Sequence, residues 1–211
     1  MTEARPEELL IALIARLLAG SRHVAVGVLS PIPGAAALLL REVEGAKVSI
    51  IGSRDPAFRI GSVALFDLAA QGRIDAFFLS GGQIDGQANV NLVGVGDYPE
   101  MKVRWSGSFG SAFLYHLIPK VILFRLEHSP RTLAERVDFV SAAGRSEPGI
   151  YRPGGPHALV TDRALFRWQR ELGRFRLVSV HPGNDEATVR RETGFEFDVD
   201  DPLPTSTPPD D

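Results

Sequence analysis

Cysteine is absent from this chain of 211 residues, and its absence excludes several kinds of chemistry. Without a thiol there is no disulfide framework, no thiolate zinc site, no iron–sulfur cluster and no cysteine nucleophile. Net charge is also small, since 23 basic residues against 26 acidic ones leave a formal charge of −3 at pH 7. Such a balance gives no general attraction to nucleic acid or to an anionic membrane. Any chemistry must therefore use oxygen groups, imidazoles or backbone amides.

Long hydrophobic runs are missing as well. The most apolar stretch near the start, residues 9–19, is interrupted by Arg16 and reaches about half the length of a membrane span. Glu3, Glu7 and Glu8 precede it, where a signal peptide would carry a basic leader. We therefore expect a cytoplasmic protein with no membrane or nucleic-acid partner.

Apolar residues make up 44% of the chain, and glycine (21) and proline (15) are plentiful. This composition excludes a disordered chain, and folding at this length buries about 70% of the unfolded surface. Short apolar runs alternate with helical segments; the runs are 23–28, 47–51, 76–79 and 120–125, and the helical segments are 6–19, 35–43 and 61–71. The alternation predicts an α/β fold with an open, mainly parallel sheet flanked by helices.

The C-terminal part has a different pattern. Three runs, at 157–161, 165–168 and 175–181, predict some antiparallel strands, and residues 136–140 predict one more strand. Residues 184–192 predict a helix with Asn184 or Asp185 as its N-cap. The acidic, proline-rich residues 200–211 are expected to be a disordered tail. We therefore expect a single domain over residues 1–199.

Several familiar catalytic motifs do not occur. The five histidines, His23, His116, His128, His157 and His181, are scattered and have no metal-ligand spacing, so no metal site is expected. No nucleophile elbow and no phosphate-binding loop is present. The turn at residues 29–34 leads into a predicted helix, so it is either an ordinary strand-to-helix turn or an anion site at free amides.

Two glycine-rich loops carry the strongest signal. The loop of residues 80–96 follows directly on a predicted parallel strand, and residues 106–111 form a second loop. Loops at the carboxyl ends of parallel strands bind ligands, and glycine lets backbone amides approach a ligand or an oxyanion. In the alternative interpretation the first loop is a structural corner, where Asp85, Asn89 and Asn91 hydrogen-bond to the backbone. Residue chemistry alone leaves both open.

At these loops the chain resembles a known family. Residues 77–99, FFLSGGQIDGQANVNLVGVGDYP, resemble the β-subunit signature of class I CoA-transferases, of the type found in the B-subunit of glutaconate CoA-transferase. The matching positions are Gly81, Gly82, Gln83, Asp85, Asn89 and Asn91, with Ala88 where the family usually has glycine. The run Gly107-Ser108-Phe109-Gly110 is similar to the family's oxyanion loop, with Phe109 replacing one glycine. Further matches are His128, Arg131 and the segments 136–140, 157–166, 179–183 and 192–199.

The resemblance implies a function as well as an open CoA-transferase-like α/β fold. It implies an α-subunit of related fold, an active site between the two subunits, and acyl-CoA and carboxylic acid substrates. It implies no permanently bound cofactor, because the coenzyme A thioester is itself the substrate. The residues of the first loop would bind substrate or CoA, and the second loop would supply oxyanion amides. His128 and Arg131 would support the site.

The sequence departs from the family at one decisive position. The family's β-subunit glutamate attacks the acyl-CoA, and Ile51, which has no nucleophilic atom, occupies its place. The nearest acids in the sequence are Glu44 and Asp55. Three hypotheses remain: a transferase with a rearranged site, a ring-opening CoA-thioester hydrolase whose catalytic carboxylate lies on the α-subunit, and a non-catalytic subunit that binds CoA esters.

Overall fold

The computed structural model describes residues 5–209, and in this range the chain forms five helices and thirteen strands. The helices are α1 (Pro6–Leu18), α2 (Pro31–Glu44), α3 (Ser62–Ala70), α4 (Ser111–Leu117) and α5 (Glu186–Arg191). The strands are β1 (His23–Val26), β2 (Lys47–Ile51), β3 (Arg59–Ile60), β4 (Ala76–Leu79), β5 (Gln83–Ile84), β6 (Val90–Asn91), β7 (Gly94–Val95), β8 (Val103–Arg104), β9 (Lys120–Phe124), β10 (Pro156–Val160), β11 (Ala164–Gln169), β12 (Arg174–Val180) and β13 (Asp198–Val199).

Nine strands form one sheet, in the order β13-β12-β11-β10-β9-β4-β1-β2-β3. Every neighbouring pair from β10 through β9, β4, β1 and β2 to β3 is parallel. The strand β11 runs antiparallel to both β10 and β12, and β13 runs parallel to β12. The predicted fold, a mainly parallel sheet with antiparallel strands in the C-terminal part, is confirmed. Two small hairpins, β5–β6 and β7–β8, lie outside this sheet.

The central strands β1, β4 and β9 are apolar apart from His23 and Lys120 at the start of β1 and β9, because helices or loops cover both faces of the sheet. In β1, Val24 and Val26 pack in the cluster that contains α1 and α2, whereas Ala25 packs in the cluster on the other face with α3 and α4. In β4, Phe78 packs in the cluster with α1 and α2, and Phe77 packs in the cluster with α3 and α4. Burial on both faces therefore replaces the usual alternation of apolar and polar residues with continuous apolar runs.

One edge of the sheet collects the carboxyl ends of the parallel strands. There β2 ends at Ile51, β4 leads into Ser80, and β9 leads into Arg125. The Ile51 side chain packs on the face of the sheet that carries α3 and α4. Open α/β sheets bind ligands at this edge, so the fold places the glycine-rich loop after β4 where a site is expected. Within residues 5–209 no helix has the length and apolar character needed to cross a membrane.

Three local predictions need correction. The helix α2 begins at Pro31, four residues earlier than predicted. Proline has no amide N–H, but an amide in the first turn of a helix has no acceptor within the helix, so proline is well accommodated there. Residues 136–140 form no strand, since the amides of Val137 and Asp138 bond to the side chains of Asp85 and Gln83. The predicted helix 184–192 is shorter, and Asp185 is its N-cap, accepting a bond from an amide in the first turn.

Residues 200–209 of the predicted tail pack against the sheet. The amide of Ser206 donates to the Val180 carbonyl at the end of β12, and the Ser206 side chain is buried. Arg16 of α1 donates to the carbonyls of Thr207 and Pro208. Such a segment has few apolar side chains, but its backbone carbonyls still accept hydrogen bonds. Residues 210 and 211 of the predicted tail lie outside the described range.

Replacing Ser206 with alanine is expected to lower the free energy of unfolding by about 1–3 kcal/mol. The Ser206 hydroxyl lies 2.8 Å from His181 Nδ1 and 2.7 Å from the hydroxyl of Ser179, and both partners are buried. Removing it leaves two buried polar groups without that partner. Urea denaturation measures the change, and Thr207→Ala is the matched control because the Thr207 side chain is exposed. Equal stability of the two variants would contradict the packed tail.

Candidate active site

A cavity of about 360 Å³ opens at the carboxyl edge of the parallel strands. Its wall contains two glycine-rich segments, an indole and two guanidinium groups; the residues are Ser80, Gly81, Gly82, Leu92, Trp105, Ser106, Gly107, Arg125 and Arg131. We call this the carboxyl-edge cavity. Of the residues that the sequence singled out, Gly81, Gly82, Gly107 and Arg131 line it.

Glycine is required at two positions of this wall. A Cβ on Gly82 would overlap the indole of Trp105, and a Cβ on Gly81 would come within 2.8 Å of the Asn91 carbonyl oxygen. The missing side chains therefore let the backbone after β4 lie directly against Trp105 and β6. The Gly82 amide donates to the Asn91 carbonyl at 2.9 Å, so this amide is occupied within the loop.

Asp85 organises the turn of the hairpin β5–β6. Its side chain is 3% exposed and accepts bonds from the amides of Gln87 and Asn89, each at 3.0 Å. It also accepts one from the Asn89 side chain at 3.1 Å. For Asp85 and Asn89 the structure therefore agrees with the alternative of a structural corner. Their polar atoms form hydrogen bonds within the loop and fix its shape.

Gln83 and Asn91 form a second buried pair across the same hairpin. The Asn91 side-chain amide donates to Gln83 Oε1 and to the Gly94 carbonyl, both at 2.7 Å. Gln83 Oε1 also accepts from the Asp138 amide at 3.0 Å. Both side chains are buried and neither residue lines the cavity. Gln83 and Asn91 therefore position the loop through hydrogen bonds in the protein interior.

The guanidinium groups of Arg125 and Arg131 share one carboxylate. Glu127 lies 2.7 Å from Arg131 and 3.2 Å from Arg125, and the hydrogen bond from Arg131 is the main cause that lowers the pKa of Glu127. Two cations and one anion leave a net positive charge beside the cavity. The Nε of Arg125 is buried and has no hydrogen-bond partner within the described part of the chain. Among residues 5–209, one N–H group of a cavity-lining arginine is thus left without a hydrogen bond in the protein interior.

The second glycine-rich loop divides between the cavity and the molecular surface. Gly107 lines the cavity, whereas Gly110 is the N-cap of α4, and Ser108 accepts a bond from the Ser111 amide at 2.8 Å. Phe109 points away, 61% exposed, with its ring centroid 5.8 Å from that of Phe66. Only Gly107 of the four predicted oxyanion residues therefore lines the cavity.

His128 lies behind the site in the protein interior. Its two ring nitrogens are each 2.8 Å from a hydroxyl, that of Thr161 and that of Thr193. Burial lowers the pKa of His128 to about 4, so the ring is neutral at pH 7. The neutral imidazole, with a hydrogen bond at each ring nitrogen, connects the end of β10 to the segment after α5. His128 therefore has a structural role behind the cavity.

No Asp or Glu of residues 5–209 lines the carboxyl-edge cavity, and Ile51, which packs against the core, does not line it either. Glu44 ends α2 on the amino side of β2 and accepts from the Gly20 amide, so it lies at the opposite edge of the sheet. Asp55 follows β2, but its carboxylate accepts from the Ala57 amide at 2.9 Å. Glu127 is engaged by two arginines and a serine. Of these three acids, Glu44 thus lies at the opposite edge of the sheet, whereas Asp55 and Glu127 already accept hydrogen bonds.

Sequence reasoning missed Trp105 and Arg125, and within the two predicted loops it did not single out Ser80, Leu92 and Ser106. Arg125 directly follows β9. Ligands bind at the carboxyl ends of parallel strands, and this reasoning, which pointed to Gly81, points to Arg125 as well. Trp105, one of two tryptophans in the chain, precedes the second glycine-rich loop. Over residues 5–209 no cluster of three or more His, Asp or Glu side chains is arranged to hold a metal ion.

The parallel sheet brings its glycine-rich loops and arginines together at the carboxyl edge, so the chain is an open α/β protein with a candidate ligand site at that edge. The model of the family Coenzyme A transferase matches residues 5–190, and the chain belongs to that family. The resemblance to class I β-subunits seen in the sequence is thereby confirmed.

Two curated relatives are B-subunits of CoA-transferases. The B-subunit of 3-oxoadipate CoA-transferase from Pseudomonas knackmussii is 33% identical over 130 residues, which are 59% of this chain and 50% of the relative. The B-subunit of glutaconate CoA-transferase from Acidaminococcus fermentans is 30% identical over 129 residues, which are 58% of this chain and 48% of the relative. The chain thus spans about half the length of the curated relatives it matches.

Three solved structures share the fold at identities below 25%. IpdAB from Rhodococcus jostii RHA1 has a TM-score of 0.84 at 22% identity, covering 100% of this chain and 91% of that one. Glutaconate CoA-transferase from Acidaminococcus fermentans has a TM-score of 0.82 at 24% identity, covering 99% and 91%. The decarboxylase AibA/AibB has a TM-score of 0.79 at 23% identity, covering 98% and 90%. The fold alone therefore does not specify the reaction.

Buried histidines make stability depend on pH in a defined direction. Unfolded His128 binds a proton near pH 6.5, whereas the folded residue binds one near pH 4. Between these values the unfolded chain holds the extra proton, so unfolding becomes easier as pH falls, by about 3 kcal/mol over the window. Stability measured by urea denaturation from pH 7 to 4 should fall less steeply in His128→Gln. The matched variant His157→Gln should show the same smaller fall in stability, because burial also lowers the pKa of His157 to about 4. If the pH dependence of stability in both variants equals that of the parent, the lowered histidine pKa values are contradicted.

Proposed function

We propose that this chain is the β-type subunit of a CoA-transferase-family enzyme that acts on an acyl-CoA thioester. We propose further that a partner α-type subunit supplies the catalytic carboxylate. The observation that carries the proposal is the composition of the carboxyl-edge cavity: guanidinium, indole and glycine backbone line it, and no Asp or Glu does so among residues 5–209. The family relationship supports the CoA thioester as ligand.

Charge and hydrogen bonding support an anionic, carbonyl-bearing ligand. A guanidinium binds carboxylate and phosphate oxygens in a fork geometry, and the net positive charge of Arg125 and Arg131 favours such groups. Arg125 and Arg131, which line the cavity, would donate hydrogen bonds to a thioester carbonyl or a carboxylate oxygen. The amides of Gly81 and Gly107 are the backbone donors that we assign to the oxyanion. This chain would thus bind and polarise the thioester.

The chemical step needs a carboxylate that the cavity wall does not contain. In the family's reaction a glutamate attacks the thioester carbonyl, and CoA leaves as the thiolate to give an acyl-glutamyl anhydride. The thiolate then attacks the glutamyl carbonyl, the carboxylic acid leaves, and a glutamyl-CoA thioester remains. Ile51 has no atom that can attack, and Glu127 is a poor base because Arg131 lowers its pKa. A carboxylate from the partner would act instead as nucleophile or as the base that activates water. The second of these roles describes the hydrolase alternative.

An aromatic cluster at the rim supports a partner subunit. The ring centroid of Phe66 lies 5.8 Å from that of Phe109 and 5.7 Å from that of Phe113. Phe109 is 61% exposed and Phe113 is 44% exposed. Phe109 follows Gly107 by two residues, so the same loop reaches both the cavity and this apolar surface. Exposed aromatic clusters beside a site are typical of surfaces that another chain covers.

Binding of the thioester can be followed through Trp105. In a Trp168→Phe background Trp105 is the remaining tryptophan, and its emission should change on titration with acetyl-CoA. Arg131→Gln should weaken this binding about tenfold, because it removes a charge-assisted hydrogen bond. The matched control is Arg191→Gln, since Arg191 is also exposed and paired with a glutamate but lies on α5. Equal loss in both variants would contradict a ligand at Arg131.

Intact mass measurement locates the nucleophile. The enzyme complex purified through this chain is incubated with acyl-CoA, and no CoA adduct is expected on this chain because Ile51 cannot form one. An adduct on the partner would identify a transferase, whereas release of free CoA and acid without an acceptor would identify a hydrolase. In Ile51→Glu an adduct on this chain is expected. An adduct on the unmodified chain would refute the proposal, and absence of any acyl-CoA turnover in the complex would leave only the non-catalytic hypothesis.

A further inference from the structure

A second cavity, of about 370 Å³, lies at the opposite edge of the sheet, where β9 and β10 begin. It is formed largely by the Gly- and Pro-rich connection before β10 and by β11; its charged and aromatic lining residues are Arg145, Arg152, Arg170 and Trp168. We call it the arginine cavity. The strand β9, five residues long, separates the two edges by roughly 15 Å.

Arg152 is built into the floor of this cavity. Its guanidinium donates to the carbonyls of Tyr115 and Gly154, each at 3.1 Å, and lies 5.1 Å from the centre of the Tyr115 ring. Gly154 has no room for a side chain, because a Cβ there would contact the backbone of Ile118. The position of the Arg152 head group is therefore fixed by packing and by neutral carbonyls, before any ligand arrives.

Arg170 and Arg145 bring two more guanidinium groups to the same space. Arg170 donates to the carbonyls of Arg152 at 2.5 Å and Gly154 at 3.1 Å, so the Gly154 carbonyl is shared by two arginines. Arg145 comes from the connection before β10, and its guanidinium lies against Gly173 at the turn between β11 and β12. Three cationic groups, two from the connection before β10 and one from the turn after β11, thus converge on one cavity.

The charge of this cluster is uncompensated within it. Among residues 5–209 no Asp or Glu lines the arginine cavity, and no ion pair involves these three arginines. Burial is the main cause that lowers the pKa of Arg152, and the charge of Arg170 lowers it further. Both effects make the positive charge of Arg152 costly in the empty cavity. An anion bound between the guanidinium groups would offset that cost.

We propose that the arginine cavity is a binding site for a phosphate-bearing anion, separate from the carboxyl-edge cavity. Guanidinium groups bind phosphate oxygens in bidentate pairs, and converging arginines are typical of phosphate recognition. The volume exceeds that of a single phosphate, and Trp168, half-buried in the wall, offers a ring face or edge to a planar group. A diphosphate, free or within a nucleotide, fits this chemistry better than a monocarboxylate.

The two tryptophans of the chain report the two cavities separately. Trp168 lines the arginine cavity and Trp105 lines the carboxyl-edge cavity. The variant Trp105→Phe therefore leaves Trp168 as a single emission reporter for the proposed anion. Binding of anion at Trp168 and binding of thioester at Trp105 are measured on different variants, so either proposal can fail while the other stands.

Titration of Trp105→Phe with inorganic pyrophosphate at constant ionic strength should give a saturable change in Trp168 emission. ADP as a second probe distinguishes the sources: tighter binding of ADP indicates a nucleotide that uses Trp168, and equal binding indicates the diphosphate alone. CoA as a third probe shows whether the nucleotide end of the thioester substrate occupies this cavity. Saturation by CoA alone, without pyrophosphate or ADP, would overturn the site as one separate from the substrate.

Arg145→Gln and Arg170→Gln should each weaken pyrophosphate binding about tenfold, through loss of a charge-assisted bond. Both side chains are exposed at the cavity mouth, so these variants are expected to fold, whereas Arg152→Gln tests the floor only if its denaturation curve matches that of the parent. The matched control, Arg191→Gln, should bind as the parent does. A response that sodium chloride reproduces, or that the arginine variants retain in full, would refute the proposal.

Discussion

The site depends on one buried interaction, the cluster of hydrogen bonds at the Asp85 carboxylate. A carboxylate inside a protein must have its oxygens satisfied, and here amides of its own hairpin turn do so, with the Val137 amide at 3.4 Å. These bonds fix the hairpin β5–β6, and the pair of Gln83 and Asn91 fixes its other end. The glycine backbone after β4 is thereby held against Trp105. The carboxyl-edge cavity is the surface that this internal scaffold presents.

Much of the fold could be predicted from the sequence because the parallel strands are covered on both faces. The strands β1, β2, β4 and β9 are mainly apolar runs, so their existence and their mainly parallel arrangement followed from composition and alternation. The segments that differed are those whose partners are distant in sequence. Residues 136–140 look like a strand, yet their amides bond to side chains some fifty positions earlier, at Gln83 and Asp85. The tail has no apolar pattern of its own and is ordered through β12 and α1.

The candidate site was predictable in its backbone and less so in its side chains. Glycines after a parallel strand place amides at the carboxyl edge whatever the rest of the chain does, and Gly81, Gly82 and Gly107 do line the cavity. Spacing cannot tell whether a carboxylate after such a strand faces a ligand or its own turn, and Asp85 faces its turn. Arg125 and Trp105 meet only because β9 lies beside β4 in the sheet, which is a fact of strand order.

The bonds from Arg16 to the carbonyls of Thr207 and Pro208 join positions 191 and 192 residues apart. Contacts of such long sequence separation form late, since the intervening chain must first be brought together. During synthesis α1 leaves the ribosome long before these carbonyl partners. Until Thr207 and Pro208 follow, α1 lacks the hydrogen bonds that Arg16 donates to them. The seating of the first helix thus depends on a segment that is made 191 residues after Arg16.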